Sequence, residues 1–163
     1  MTHARPRALI VITCLAILFA GRPAFADITA FIGATPTPVS RQARGFAVGA
    51  GLLVVGFEFE YSSVKEDPIN GGPSLKTGMG NILLQTPVPI FGFQPYWTAG
   101  AGLYHEGLGT VGITNVGANT GGGVKLSLVG PLRLRIDYRV FTLRGNPPQP
   151  HPQRIYAGLN LAF

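Results

Sequence analysis

The sequence has 163 residues, enough for one domain and hardly for two, and only 12% of them are charged although 46% are hydrophobic. Soluble domains carry about 25% charged residues, so this composition argues against a surface that faces water all round. The formal net charge is +6, but no cluster of five or more Lys and Arg residues accompanies it, and we expect no nucleic-acid partner.

The first 26 residues have the order of a secretory signal peptide. Arg5 and Arg7 precede an apolar run over residues 9–21, and Ala24 and Ala26 form a small-x-small cleavage site. The apolar run is too short to cross a bilayer as a helix. A cleaved signal peptide is therefore favoured over a retained membrane anchor.

We expect cleavage after Ala26, which divides the chain into a signal peptide, 1–26, and a mature domain, 27–163. The signal peptide contains three arginines and no acid, so its removal lowers the formal net charge from +6 to +3. It also contains Cys14, the only cysteine of the sequence. The mature domain can therefore form neither a disulfide nor a thiolate metal site.

Short alternating apolar and polar runs, separated by Gly, Pro and Asn clusters, predict an all-β domain with eight strands. The predicted strands are 28–35, 44–54, 57–64, 77–86, 96–106, 122–129, 133–142 and 155–163. The connections after the first, third, fifth and seventh strands are longer and polar, and that after the fifth is a Gly/Thr/Asn loop over 107–119. The connections after the second and sixth strands are tight, and the Pro-rich one after the fourth is intermediate. Short turns alternating with longer loops are typical of an antiparallel up-and-down transmembrane β-barrel with both chain ends on the periplasmic side.

The seventh predicted strand has a charged face and an apolar face. The charged face consists of Arg133, Arg135, Asp137 and Arg139, and the apolar face of Leu134, Ile136, Tyr138 and Val140. In a water-soluble sheet the charged face points to solvent, whereas in a membrane barrel the apolar face points to lipid and the charged face to the lumen. The alternation by itself is compatible with both.

Aromatic residues favour the membrane barrel. Phe57 opens the third predicted strand, Trp97 opens the fifth, and Phe163 closes the eighth. If the strands alternate up and down, all three face outward at one rim, as expected where a barrel meets the membrane interface. We therefore predict that these three residues lie at a membrane interface and that outer-membrane lipid is a partner.

The inward charges are predicted to form an ion-pair network in the lumen. Its predicted members are Glu58, Glu60, Lys125, Arg133, Arg135, Asp137 and Arg139. Side chains can just fill an eight-stranded barrel, and charges away from bulk water are costly unless they are paired. We expect a salt-bridged plug, and an ion pathway is the alternative.

The sequence contains no recognisable catalytic or cofactor-binding motif. No phosphate-binding loop is present, and His105 and His151 have no neighbouring acids at metal-ligand spacing. A lipid-modifying enzyme would need a base and a nucleophile on one outer surface. His105 is predicted to face outward and Glu106 inward, and no nucleophile can be assigned to His105, so we expect neither enzymatic activity nor a cofactor.

Three segments carry a family resemblance: FEFEY at 57–61, GGGVKLSL with LRLRIDYRVF over 121–141, and IYAGLNLAF at 155–163. Together they resemble the small outer-membrane β-barrel family of Gram-negative bacteria (OmpA/OmpX-type and opacity-like surface proteins). The resemblance implies that the barrel-assembly machinery recognises Phe163 during insertion.

These observations predict a monomeric, non-enzymatic protein of the cell outer membrane with a surface or envelope-integrity role. Three alternatives remain open. They are a narrow channel or carrier for small hydrophobic molecules, a lipid-modifying barrel enzyme, and a soluble periplasmic lipocalin-like barrel.

Overall fold

A computed structural model describes residues 25–163, which form eight β-strands. The strands are β1 Phe25–Thr35, β2 Arg41–Leu52, β3 Val55–Val64, β4 Ser74–Gln85, β5 Phe93–Leu108, β6 Val111–Val129, β7 Leu132–Leu143 and β8 Gln153–Ala162. Of the predicted signal peptide, only Phe25 and Ala26 are included, at the start of β1; Ala24 lies outside the described residues. In the described part of the chain, no helix is long and apolar enough to cross a membrane.

The strands form a closed barrel in chain order, with every neighbouring pair antiparallel. The barrel closes where β1 pairs with β8, in a ladder that runs from Asp27 opposite Ala162 to Ala34 opposite Ile155. Two further backbone hydrogen bonds join Ala26 and Phe163, at 3.0 and 2.9 Å. The predicted fold, an eight-stranded antiparallel up-and-down β-barrel, is confirmed.

The two ends of the barrel differ in their connections. We call the end that carries Phe25 and Ala162 the terminal end; its turns are 53–54, 86–92 and 130–131. The opposite end, the loop end, carries the connections 36–40, 65–73, 109–110 and 144–152. Three of the four connections at the loop end have five to nine residues, whereas two of the three turns at the terminal end have two. The Pro-rich turn 86–92, with seven residues, is the exception to the predicted alternation.

The connection between β5 and β6 differs from the prediction. Residues 107–119 were expected to form a loop, but β5 continues to Leu108, β6 begins at Val111, and the two strands pair from Phe93–Leu126 to Leu108–Val111. The sequence suggested a loop because the segment contains many Gly and Asn residues, which are depleted in strands. These residues instead form the upper part of a long hairpin, with Gly109 in a left-handed conformation (φ 60°) at its turn.

Glycine is required where two strands approach closely. A Cβ on Gly102 in β5 would lie 2.8 Å from the Cα of Met79 in β4 and even closer to the carbonyl oxygen of Gly78. Gly102 faces the crowded lumen, where an added side chain would push β4 away from β5. The glycines of the middle strands therefore allow a narrow barrel to close.

Candidate functional site

The inward faces of β3 and β7 place acids and arginines at the centre of the lumen. Alternation brings Glu58 and Glu60 of β3 and Arg135, Asp137 and Arg139 of β7 to the inside, and all five are buried. These are five of the seven charged residues predicted to meet in the lumen. The structure brings them into direct contact.

Arg135 and Arg139 bridge the acids of the two strands. Glu58 accepts hydrogen bonds from Arg135 and from Nη2 of Arg139, the latter at 2.9 Å. Asp137 accepts from Nε of Arg139 at 2.9 Å and from Nη2 of Arg135 at 3.3 Å. Nη1 of Arg139 also lies 3.2 Å from Oε2 of Glu60. Each arginine thus contacts at least two carboxylates.

A third arginine, Arg154 of β8, completes the network. Its Nη2 lies 2.5 Å from Oε1 of Glu60, and its Nη1 donates to Oγ of Ser62 at 2.7 Å. The central network therefore contains three carboxylates and three guanidinium groups, and its formal charge is zero. Since charge removed from water is stable only when compensated, this balance accounts for burial of all six groups.

Arg154 was missed in the sequence because the eighth strand was predicted to begin at Ile155. The structure begins β8 at Gln153 and turns Arg154 inward. Extending the alternation of β8 by two residues would have identified it. Tyr96 and Tyr156 were missed as well, because an inward tyrosine carries no charge signal.

Aromatic rings hold the guanidinium groups in place. The hydroxyl of Tyr96 donates to Asp137 and accepts a hydrogen bond from Nε of Arg135 at 2.7 Å. The ring of Tyr156 stacks on Phe31, with centroids 4.0 Å apart, and Arg154 lies 5.3 Å from the Tyr156 centroid. Cation–π contacts of this kind are strongest where water is excluded, so they add rigidity to the ion pairs.

The loop end of the lumen is closed by an apolar cluster. Its members are Ala43, Val64, Leu75, Met79, Tyr104, Phe141 and Leu143. Every one of these side chains is at most 4% exposed. Together with the ion-pair network beneath it, this cluster fills the lumen from its centre to the loop end.

The two remaining predicted lumen residues, Lys125 and Arg133, lie outside the central network near the terminal end. Lys125 pairs with Asp27 at 2.7 Å, an acid that sequence reasoning left unassigned. Arg133 donates to Oε1 of Gln94 at 3.0 Å, and within residues 25–163 no carboxylate forms an ion pair with it. Both cations line a cavity of about 240 Å³ that opens at the terminal end.

The outer surface of the barrel is apolar over most of its height. Outward positions along the strands are exposed large hydrophobic residues, among them Ile28, Val48, Phe59, Ile82, Ile136, Ile155 and Leu159. The outward polar residues of β2, β4, β7 and β8 begin near the loop end, at Arg44, Lys76, Thr142 and Gln153. The exposed apolar band between the two ends is much larger than water-soluble monomers tolerate.

The three aromatic residues predicted for the interface all face outward in the terminal half. Phe57 is 61% exposed, Trp97 50% and Phe163 66%. The expectation that Trp97 opens its strand is wrong, since β5 begins at Phe93 and Trp97 lies farther into the barrel wall. The fifth strand was predicted to begin at Tyr96, three residues after its observed start. Phe93, 53% exposed, occupies the rim position instead.

One polar contact on the outer surface was not foreseen. Nδ1 of His105 lies 2.8 Å from Oγ1 of Thr114, across the upper part of the β5–β6 hairpin. The sequence suggested no hydroxyl within reach of this histidine, because Thr114 was placed in a loop. Among the described residues, no group of His, Cys, Asp and Glu side chains could hold a metal ion.

Comparison with solved structures identifies the fold. Neisserial surface protein A (NspA) is similar with a TM-score of 0.66 and 15% identity, over 86% of this chain and 96% of that one. The N-terminal β-barrel domain of Pseudomonas aeruginosa OprF is similar with a TM-score of 0.62 and 16% identity, over 86% of this chain and 100% of that one. The outer membrane enzyme PagL follows with a TM-score of 0.53 and 13% identity, over 83% of this chain and 98% of that one.

The chain thus has the fold of the small outer-membrane β-barrels, and the predicted resemblance is confirmed at this level. No protein-family model matches the sequence, and no curated protein matches it either. Because PagL is described as an enzyme, this fold carries more than one kind of function. Activity has to be argued from the residues of the lumen and the outer surface.

Proposed function

We propose that the protein is a monomeric barrel of the cell outer membrane whose filled lumen makes it a non-conducting, non-enzymatic surface or envelope-integrity protein. The exposed apolar band supports the membrane location, since in lipid such a surface is solvated and in water it would aggregate. The two nine-residue loops, 65–73 and 144–152, are both at the loop end, and the two-residue turns 53–54 and 130–131 are at the terminal end. This difference favours an orientation with the loop end outside the cell.

The observation that carries the non-conducting role is the layered filling of the lumen. An ion entering from the terminal end would meet the network of three acids and three arginines, and beyond it the apolar cluster at the loop end. Passage would require separating buried ion pairs and hydrating an apolar constriction, and both steps are costly. The lumen is therefore better suited to bracing the barrel than to transport.

Conductance in planar bilayers tests this role. Protein that is shown to be inserted by heat-modifiable gel mobility should give no stepwise current above the background of a protein-free bilayer. A variant with a weakened constriction, Phe141→Ala with Leu143→Ala, provides the matched comparison. Regular unitary steps from the unmodified protein would contradict the proposal and favour a channel.

Membrane fractionation tests the location separately. The protein should sediment with outer membranes and should migrate differently in gels before and after boiling. Recovery in the soluble periplasmic fraction, with identical mobility in both samples, would favour a lipocalin-like barrel instead.

The contact between His105 and Thr114 supports a second candidate, a lipid-modifying hydrolase. A base within hydrogen-bond reach of a hydroxyl is the minimum for a nucleophilic mechanism. The adjacent acid, Glu106, is buried on the lumen side, and the outward neighbour of His105 on β4 is the cation Lys76. This pair thus lacks the group that orients a catalytic histidine, so the non-enzymatic role remains the first choice.

Mass analysis of lipid A from cells that overproduce the protein distinguishes the two. The non-enzymatic role predicts an unchanged lipid A profile, identical to that of cells producing His105→Ala. Loss of an acyl chain or headgroup in the first sample only would establish the hydrolase.

A further inference from the structure

The cavity at the terminal end has an uncompensated positive charge in its wall. Four charged residues line it, namely Asp27, Glu58, Lys125 and Arg133. Asp27 is paired with Lys125, and Glu58 is paired with Arg135 and Arg139 behind the wall. Arg133 alone is held by a neutral group, the side-chain amide of Gln94.

The surroundings of Arg133 favour an anion over water. Lys125 and Gln94 beside it are 3% and 5% exposed, and Arg133 itself is half-buried, so the cavity floor is only partly open to solvent. In such a setting a guanidinium group binds a carboxylate through charge-assisted hydrogen bonds that are stronger than those to neutral partners. Only part of the donor capacity of Arg133 is used by Gln94.

The mouth of the cavity is apolar. Leu53 comes from the turn between β2 and β3, and Val88 comes from the turn between β4 and β5. A ligand with its charged group at Arg133 would lay its remaining atoms against these side chains. The volume of about 240 Å³ is smaller than that of most ligand pockets, which restricts the ligand to a short chain.

We propose that this cavity is a binding site for a small monocarboxylate with a short apolar chain, its carboxylate on Arg133 and its chain against Leu53 and Val88. The site opens at the terminal end and is sealed from the loop end by the ion-pair network, so the ligand enters and leaves from the same side. The proposal extends the structural role with a binding function and requires no transport.

Three probes with unbranched chains of five carbons and different head groups test the proposal: pentanoate, pentan-1-ol and pentylammonium. Each is titrated into the full chain in nanodiscs of uncharged phosphatidylcholine, and the NMR signals of the Arg133 Nε–H and the Gln94 side-chain amide are followed. Pentanoate should give saturable shifts with an affinity at least tenfold higher than that of pentan-1-ol, and pentylammonium should give none. Equal affinities for the acid and the alcohol, or shifts that never saturate, would overturn the proposal.

Variants locate the site. Arg133→Gln should reduce the preference for pentanoate over pentan-1-ol to within twofold, whereas Arg133→Lys should retain it. Arg144→Gln, which removes an exposed cation at the loop end, is the matched control and should bind like the unmodified protein. If Arg133→Gln kept the full preference for pentanoate over pentan-1-ol, the carboxylate would bind elsewhere and the proposal would be overturned.

A substitution in a turn keeps the test valid if Arg133→Gln fails to assemble. Val88→Asp adds a negative charge at the cavity mouth without altering a strand and should weaken pentanoate binding at least tenfold. Val88→Asn should weaken it less than threefold. Equal binding by both variants would show that pentanoate does not pass or contact this mouth.

Discussion

Arg154 shows how a single inward residue couples distant parts of the sequence. It binds Glu60 and Ser62 on β3, and its guanidinium lies 5.0 Å from the ring of Phe141 on β7. The strands β3 and β7 are not neighbours in the barrel wall. Such contacts across the lumen resist flattening of the cylinder, which the hydrogen bonds between adjacent strands do not prevent.

Replacement of Arg154 by Met should strongly destabilise the barrel. Glu60 would keep only its contact with Arg139, at 3.2 Å, and removing one partner of a buried ion pair costs about 3–5 kcal/mol. Urea unfolding in lipid vesicles, followed by tryptophan fluorescence, measures the change.

Two comparisons show whether the loss comes from the ion pair. The Glu60→Gln/Arg154→Met double variant should be destabilised by less than the sum of the single changes, with a coupling of about 0.5–3 kcal/mol. Arg144→Met, at an exposed loop position, should change stability by less than about 0.5 kcal/mol. Strict additivity of the two buried substitutions would refute the pairing.

At the level of strands, the alternation of residues was readable from the sequence wherever charge or bulk marked one face. The apolar bulk of Ile136 and the charge of Asp137, for example, sufficed to assign these two residues to opposite faces of β7. The same logic failed in residues 107–119, because Gly, Thr and Asn have neither the bulk nor the charge to mark a face. The first and eighth strands were also predicted to begin too late, at residues 28 and 155. For this reason Asp27 and Arg154 were not recognised as strand residues that face the lumen.

The partners of the lumen charges could not be predicted either. Pairing of Arg135 with Glu58, or of Lys125 with Asp27, depends on the stagger between strands far apart in the sequence. Alternation states which face a residue occupies but not the level at which it lies in the barrel. It predicted a set of inward charges and left their division into a central network and a terminal cavity undetermined.

Two glycines of the adjacent strands β4 and β5 should respond oppositely to a methyl group. Gly102→Ala forces a Cβ against the backbone of β4 and should cost about 1–3 kcal/mol, the range for overpacking. Gly78→Ala, whose Cβ would meet only the ring of Phe59 at 3.9 Å, should be neutral or stabilise by up to about 1 kcal/mol. Equilibrium unfolding of both variants measures the difference, and equal effects would rule out close approach as the reason for Gly102.

The closing strand should depend on the aromatic ring of Phe163. Phe163→Ala keeps the β1–β8 ladder from Asp27 opposite Ala162 onward but removes an outward ring at the terminal end, so insertion in cells should slow while the folded barrel keeps its gel mobility. Phe163→Tyr should insert normally, since tyrosine also suits the membrane interface. Pulse-chase measurement of heat-modifiable protein tests this; normal insertion of Phe163→Ala would remove the assembly role.

In the molecule as a whole, charged side chains are concentrated in the lumen and apolar side chains cover the outer surface. The central network buries three acids and three arginines of β3, β7 and β8, whereas the outward faces of β2 and β4 are apolar until they reach Arg44 and Lys76 near the loop end. This inversion is the opposite of what a water-soluble barrel would show. The free-energy cost of adding a charge to the outer surface should therefore depend on the height of the residue in the barrel.

A charge added to the outer surface should therefore cost more at mid-height than near the loop end. Ala157→Arg, in the middle of β8, should destabilise the inserted barrel by about 2–4 kcal/mol, the cost at the centre of a bilayer. Thr142→Arg, one residue before the end of β7, should cost about 0–1 kcal/mol. Chemical unfolding from lipid vesicles compares them, and similar costs for the two would contradict a membrane-spanning orientation.

The pairing of β1 with β8 also means that the barrel closes late in folding. The strand nearest the beginning of the described chain cannot satisfy its second edge until the last one has been synthesised and delivered. Contacts between segments so distant in sequence form slowly, and until then the apolar faces and unpaired edges are exposed to aggregation. For the proposed outer-membrane location, we expect the chain to travel as an open, escorted polypeptide and its yield in the cell to depend on periplasmic chaperone supply more than on the stability of the finished barrel.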